Sequence, residues 1–373
     1  MTVLEAAAAD HAQARVTLTA ALANGPSHAY LFHGPRGVGK ADVARAFAAE
    51  LLAEGAADPE AARGRALRGS HQDLTWVAPS GAHEMRVADI EQPVVRGATM
   101  TPMEGARRVF VIERAETMSS EVANRLLKTL EEPAPYASFI LLTSAPERVL
   151  PTVISRCQSV RFDAVPVSRI AQKLIDAGVE PVRAASCAAL SGGDAELAAE
   201  LATDDGDQMR SEAGKIVGSA LSGASGRNRP WEALLSRATA AGEAAALEVD
   251  GETQDRAEAF PKGREKTRAL KEGEEAAKRA ARRVRTDKLD QSLRIAALLL
   301  RDIAAAAAGE DELVLAQDRM DSIERASAGR RVAPLLDAAA EIEQARLMLG
   351  RNVAEELMLQ ALCFKLDGLL VRR

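Results

Sequence analysis

The most constraining string in the chain is Ala29-Tyr30-Leu31-Phe32-His33, followed without a break by Gly34-Pro35-Arg36-Gly37-Val38-Gly39-Lys40. The first five residues, mostly apolar, read as a buried strand. The glycines that follow permit a tight loop whose backbone N–H groups turn inward. A run of helix formers over Ala41–Leu52 then reads as a helix. A strand, a GxxxxGK loop and a helix in that order make a phosphate cradle. The loop amides ring the phosphate oxygens, Lys40 adds a point charge, and the helix contributes the positive end of its dipole.

The chain around this loop alternates short apolar runs with helical ones, as a parallel sheet with crossovers requires. Strands are expected at Ala29–His33, Leu74–Val77, Arg108–Ile112, Ser138–Thr143 and Gln158–Phe162, with a helix near Glu121–Glu132 and a helical stretch at Val3–Leu22. The expected fold is an α/β P-loop domain over 1–165: a parallel five-stranded sheet with helices on both faces. Beyond Val165 strand signals fade. Residues 166–210 read as a small helical lid, with Leu174, Ala185, Leu190 and Leu197 as its core, and 211–373 as an all-α collar domain. Within the collar, Ser222–Arg229 is expected as a boundary or loop, and breaks are expected near Pro261, Gly309 and Gly329.

Composition narrows the function. Aromatics make up only 3% of the 373 residues, and the abundance of alanine and leucine favours helices. Cys157, Cys187 and Cys363 lie far apart, so neither a disulfide framework nor a zinc site is expected, and a reducing cytoplasm fits. The first residues carry Glu5 and Asp10 where a secretory leader would be basic and then apolar, and no apolar run is long enough to span a bilayer. A net charge of −6 argues against a chain that grips nucleic acid unaided. The basic run Lys278, Arg279, Arg282, Arg283 and Arg285 reads as the solvated face of a long helix, interleaved with Ala280, Ala281 and Val284; a DNA-facing surface is the alternative.

Around the loop, several residues depart from a working hydrolase. Ala41 stands where a Ser or Thr hydroxyl would hold Mg²⁺. The strand Arg108–Ile112 ends in Glu113-Arg114, so Glu113 is left to hold Mg²⁺ through water. Arg114 stands where a carboxylate would polarise the attacking water, and a guanidinium cannot accept that proton. The cradle Gly34, Pro35, Arg36, Gly37, Val38, Gly39, Lys40 and Ala41, with Glu113, is therefore expected to bind ATP without efficient hydrolysis.

The stretch Glu121–Pro133 reads EVANRLLKTLEEP. Ala123, Leu126, Leu127 and Leu130 follow the spacing of an amphipathic helix, and Pro133 stops it. As a string it resembles the LLKTLEEP signature of bacterial clamp-loader AAA+ subunits. His28–Phe32, Gly69–Leu74, Thr101-Pro102 with Glu104-Gly105, and Ser155-Arg156-Cys157 resemble the same family. The resemblance implies a three-part AAA+ protein: P-loop domain, helical lid and all-α collar. It makes Arg156 an arginine finger acting in trans on a neighbour's ATP. The implied partners are the gamma/tau and delta clamp-loader subunits, the beta sliding clamp through the complex, and primer-template DNA indirectly, with no membrane. The implied setting is a DNA-directed DNA polymerase (nucleotidyltransferase) holoenzyme, with weak or absent ATPase of the chain's own.

Two departures from the family accompany the match. No cysteine lies between Lys40 and Asp73, where members often carry a four-cysteine zinc module, so no zinc is expected. Ser191–Leu197 resembles the sensor 2 segment, yet it has no arginine to touch a γ-phosphate. The reading set against a non-motor subunit is a catalytically active gamma/tau-like or chaperone-like motor, which Ala41, Arg114 and the missing arginine oppose. A DNA-binding protein in its own right is a third possibility.

Overall fold

A computed structural model describes residues 2–79, 84–258, 263–349 and 353–371, and the chain divides into two compact units. The first comprises Met1–Pro166 with Gly193–Glu196. It opens with α1 (Val3–Ala7) and α2 (Ala12–Asn24), separated at His11 where one continuous helical stretch was expected. There follow β1 (Ala29–His33), α3 (Lys40–Ala53), α4 (Pro59–Leu67), β2 (Leu74–Val77), α5 (Val87–Ile90), β3 (Arg108–Ile112), α6 (Ser120–Glu131), β4 (Ala137–Thr143), α7 (Pro151–Ile154) and β5 (Gln158–Arg161). The five strands form one sheet in the order β2-β3-β4-β1-β5, and every strand pair is parallel.

Period-two alternation sorts the side chains between the two faces. Ala29 and Leu31 of β1 join Phe110, Ile112, Phe139 and Leu141 in the core beneath α6, whose Val122, Ala123, Leu126 and Leu130 are buried there. Phe110 and Phe139 stack with centroids 5.2 Å apart. Tyr30 and Phe32 point the other way, where Phe47 of α3 meets Tyr30 edge-on at 5.0 Å and Phe162 packs on Phe32 at 5.2 Å. Helices thus cover both faces, and apolar residues on both sides of β1, β3 and β4 explain why these strands read as continuous hydrophobic runs.

The second unit, Val167–Gly192 with Leu197–Arg373, is helical in its described residues. It holds α8 (Val167–Asp176), α9 (Pro181–Ser191), most of α10 (Ala195–Leu201), α11 (Asp204–Ser222), α12 (Ser225–Asn228), α13 (Trp231–Glu258), α14 (Arg264–Ala308), α15 (Met320–Ser327), α16 (Val332–Leu349) and α17 (Glu355–Leu370). Leu174, Leu190 and Leu197 are buried as expected. Ala185 is not: it faces solvent, and its neighbour Ala184 takes the core position. The expected loop at Ser222–Arg229 contains the short helix α12. Pro261 lies outside the described residues. Gly309 caps α14 in the left-handed conformation (φ 79), and Gly329 (φ 69) follows α15. In α17, Leu359, Leu362 and Leu366 are buried, whereas Leu357 is 66% exposed.

Three residues of the basic run of α14 pair with nearby acids. Lys278 pairs with Glu274 at 2.7 Å, Arg279 with Glu275 at 3.8 Å, and Arg285 with Glu355 at 2.7 Å. Deeper in this unit the nearly fully buried Arg210 donates bidentately to Asp318 at 2.7 and 2.6 Å. No described helix is long and apolar enough to cross a membrane.

Candidate functional site

The Gly34–Lys40 loop leaves the C-terminal end of β1 and delivers Lys40 as the first residue of α3, with Gly39 at the N-cap. Gly34, Gly37 and Gly39 all have positive φ (149°, 63° and 83°), a region that side chains rarely tolerate. At Gly34 a Cβ would also overlap the Phe162 carbonyl. Val38 is buried, and its carbonyl accepts a 2.5 Å hydrogen bond from Nε2 of His11, whose ring rests edge-on against Phe162 at 4.9 Å. His11 braces the loop from α2; nothing in its sequence neighbourhood announces that role.

The Lys40 ammonium curls back and donates to the loop's own carbonyls, to Gly34 O at 2.8 Å and to Pro35 O. Burial lowers its pKa to about 8, against the fields of Glu116, Asp194 and Glu196, which favour the charged form. Pro35 and Arg36 are exposed and Ala41 is half-buried at the start of α3.

The end of β3 supplies the acids. Glu113 accepts from the Trp76 indole N–H at 2.6 Å, and the Arg45 guanidinium lies over the Trp76 ring, 4.3 Å from its centre. Arg114 adopts the left-handed conformation (φ 51), and its carbonyl accepts from both the backbone N–H (2.8 Å) and the hydroxyl (2.7 Å) of Thr117. Glu116, which the sequence reading passed over, is buried and accepts from the Thr143 hydroxyl at 2.7 Å and the Ser144 hydroxyl at 3.0 Å. Those hydroxyls sit at the end of β4, beside β1 in the sheet, so strand order brings Glu116 within the field of Lys40.

Segment 193–196 closes the group. The Ala195 N–H donates to Gly37 O at 2.9 Å, and a Cβ added at Gly37 would overlap the Asp194 carboxylate. Burial raises the pKa of Glu196, helped by the neighbouring charges of Asp194, Asp42 and Glu113. The glycine loop, Lys40 and the N-terminus of α3 fit a polyphosphate. The carboxylates gathered around them do not.

Arg156 lies apart from this group in its contacts, two residues past the end of α7. Its Nη1 donates to Thr152 O at 2.8 Å and to the Ser155 hydroxyl at 3.3 Å, and its Nη2 pairs with Glu131 at the end of α6. The guanidinium-bearing side chain remains 33% exposed.

Residues 11–166 match the family model described as DNA polymerase III, delta subunit. The DNA polymerase III subunit delta' of Bacillus subtilis is 38% identical over 183 residues, covering 48% of this chain and 55% of that protein. The subunit delta' of Pseudomonas aeruginosa is 38% identical over 136 residues, 35% of this chain and 42% of that one. The Bacillus subtilis subunit tau is 36% identical over 162 residues, 40% of this chain and 28% of that one. The matched region thus spans about half the length of the delta' relatives. With a five-stranded parallel sheet in the order β2-β3-β4-β1-β5 and a glycine loop after β1, residues 11–166 are similar to the corresponding part of DNA polymerase III delta' subunits.

Proposed function

We propose that this chain works as a delta-prime-type subunit of a DNA polymerase III clamp loader and contributes Arg156 to the ATP site of an adjacent subunit. The observation that carries the reading is Arg156 itself. It sits in the turn that follows the short helix α7 with its guanidinium part-exposed, held by the Glu131 carboxylate and by groups of its own turn. A guanidinium in that state can exchange its surface partner for the charge that develops on a transferring phosphoryl group. The chain's own loop has the opposite character. Ala41 offers no hydroxyl to a metal, and at Arg114 no carboxylate is present to orient water. A bound triphosphate would be held by the loop amides and Lys40, and hydrolysis there is impaired. Residues 166–210 would act as lid and 211–373 as the collar that meets the gamma/tau and delta subunits. Through the assembly, the chain would help place the beta sliding clamp on primed DNA.

The 36% identity to a tau subunit supports the rival reading, an active motor. Ala41, Arg114 and the acid at position 194 oppose it. ATP turnover by the purified chain, alone and in a complex reconstituted with gamma/tau and delta subunits, separates the two. The proposal expects negligible turnover alone and strong turnover in the complex that falls on Arg156→Ala. Robust turnover by the isolated chain, abolished by Lys40→Ala, would sink it.

A further inference from the structure

The carboxylate of Asp194 is held against the glycine loop. The Ala195 N–H anchors the segment to Gly37 O at 2.9 Å, and the carboxylate occupies the space a side chain at Gly37 would take. Gly193, with φ 95, supplies the turn that brings it there. Asp194 is not an isolated acid at this place. Glu116 and Glu196 act with it on Lys40, and Asp42 and Glu113 act with it on Glu196, so that several carboxylates share the field of this loop with Lys40 and Arg36. The positive charge of Lys40 is thereby answered from within the chain. A nucleoside triphosphate would bring several more negative charges into this field, where like charges at short range in a partly buried site repel strongly.

We propose that Asp194 is the specificity-determining residue of this loop: its carboxylate, fixed at Gly37, selects against polyphosphate and leaves the cradle satisfied by the chain's own groups. The inference rests on reading Gly34–Lys40 as a phosphate cradle and adds what sets its affinity. Two consequences distinguish it from simple loss of a ligand-binding arginine. Neutralising Asp194 strengthens binding without any new contact being added. In the unsubstituted chain, affinity does not climb with each added phosphate, as it does in a cradle built to attract them.

The full-length chain is titrated with a fluorescent ATP analogue in the presence of Mg²⁺, as the unsubstituted protein, Asp194→Asn, Asp194→Ser, and each of these combined with Lys40→Ala. Asp194→Asn and Asp194→Ser should bind about tenfold tighter or more, the scale of one close charge removed, and Lys40→Ala should cancel the gain. Equal or weaker binding by both folded variants overturns the proposal. So does a gain that survives Lys40→Ala, since it would arise elsewhere. A second measurement needs no variant: AMP, ADP and ATP compete against the analogue on the unsubstituted chain. Affinities that stay level or fall along that series support the proposal, and a rise of about tenfold per phosphate overturns it. The functional reading fails separately, if Arg156→Ala leaves turnover of the reconstituted complex unchanged.

Discussion

Glu131, at the end of the helix that carries the LLKTLEEP string, is the acid that holds Arg156. Both side chains reach solvent, so the pair stabilises the fold by well under about 1 kcal/mol and is easily exchanged for a stronger anion. Two helices that meet the same core, α6 and α7, therefore fix where the guanidinium starts without locking it. Arg156→Ala should lower ATP turnover of the reconstituted clamp loader by about a thousandfold at the affected site while subunit assembly, followed by size-exclusion chromatography, is retained. Glu131→Gln should not lower it. A fall of similar size in both variants would mean that the ion pair matters for folding rather than for catalysis.

Lys40 gives a pH dependence with a definite sign. In the folded chain its pKa is lowered to about 8 from an ordinary 10.5, chiefly by burial. Below pH 8 the loop keeps its ammonium; above it the charge is lost, so affinity for inorganic triphosphate should fall as pH is raised from 7 to 9.5. Stability moves the other way. Between about 8 and 10.5 the unfolded chain binds the proton that the folded chain has released, so this group's contribution to stability rises with pH across that window. Titrations of both quantities on the unsubstituted chain and on Lys40→Met check the assignment, because the variant should lose both slopes.

Arg114 is one of two non-glycine residues at positive φ among the described residues. A side chain there costs about 1 kcal/mol of backbone strain. Arg114→Gly should therefore raise stability by about 0.5 kcal/mol, after allowance for the greater freedom of glycine in the unfolded chain. Urea unfolding reads the change; a loss of stability would show that the arginine's own contacts outweigh the strain.

In the helical unit, Arg210 and Asp318 form a pair with the guanidinium almost wholly buried. Arg210→Ala strands the carboxylate and should destabilise that unit by about 3 kcal/mol, read as a lower urea midpoint at unchanged slope. Burial alone would raise the pKa of Asp318, but the hydrogen bonds and charge of Arg210 overcome it and hold it below the ordinary carboxylate value. The pair's contribution is therefore complete above that ordinary value and is lost as pH falls through the lowered one. The variant should show less acid sensitivity than the parent.

The strands were legible because their chemistry is redundant. β1, β2 and β3 have the ends expected for them, since each is a short apolar run bounded by glycine, charge or proline. β4 begins one residue earlier, and β5 stops one residue before Phe162. The helical unit was legible in kind but not in register. In α9 the run Ala184-Ala185 offers two equally apolar neighbours, and hydrophobic periodicity cannot say which turns inward. At the loop, Gly34–Lys40, Ala41 and Arg114 could be read directly. His11, Glu116 and Asp194 could not, because their meaning lies in tertiary approach. His11 finds the Val38 carbonyl 27 residues on, and Glu116 meets hydroxyls at the end of a strand that follows it. That Ser191–Leu197 holds no arginine was visible; that its Asp194 would press on Gly37 was not.

Trp76, hydrogen-bonded to Glu113 and overlain by Arg45, and Trp231, buried at the start of α13, are the chain's two tryptophans, and one falls in each compact unit. Nature has thus given each half a private optical beacon. Replacing either indole with phenylalanine leaves emission that reports on the other half alone, so melting of the sheet layer and of the helical layer can be followed as separate signals in one unlabelled polypeptide.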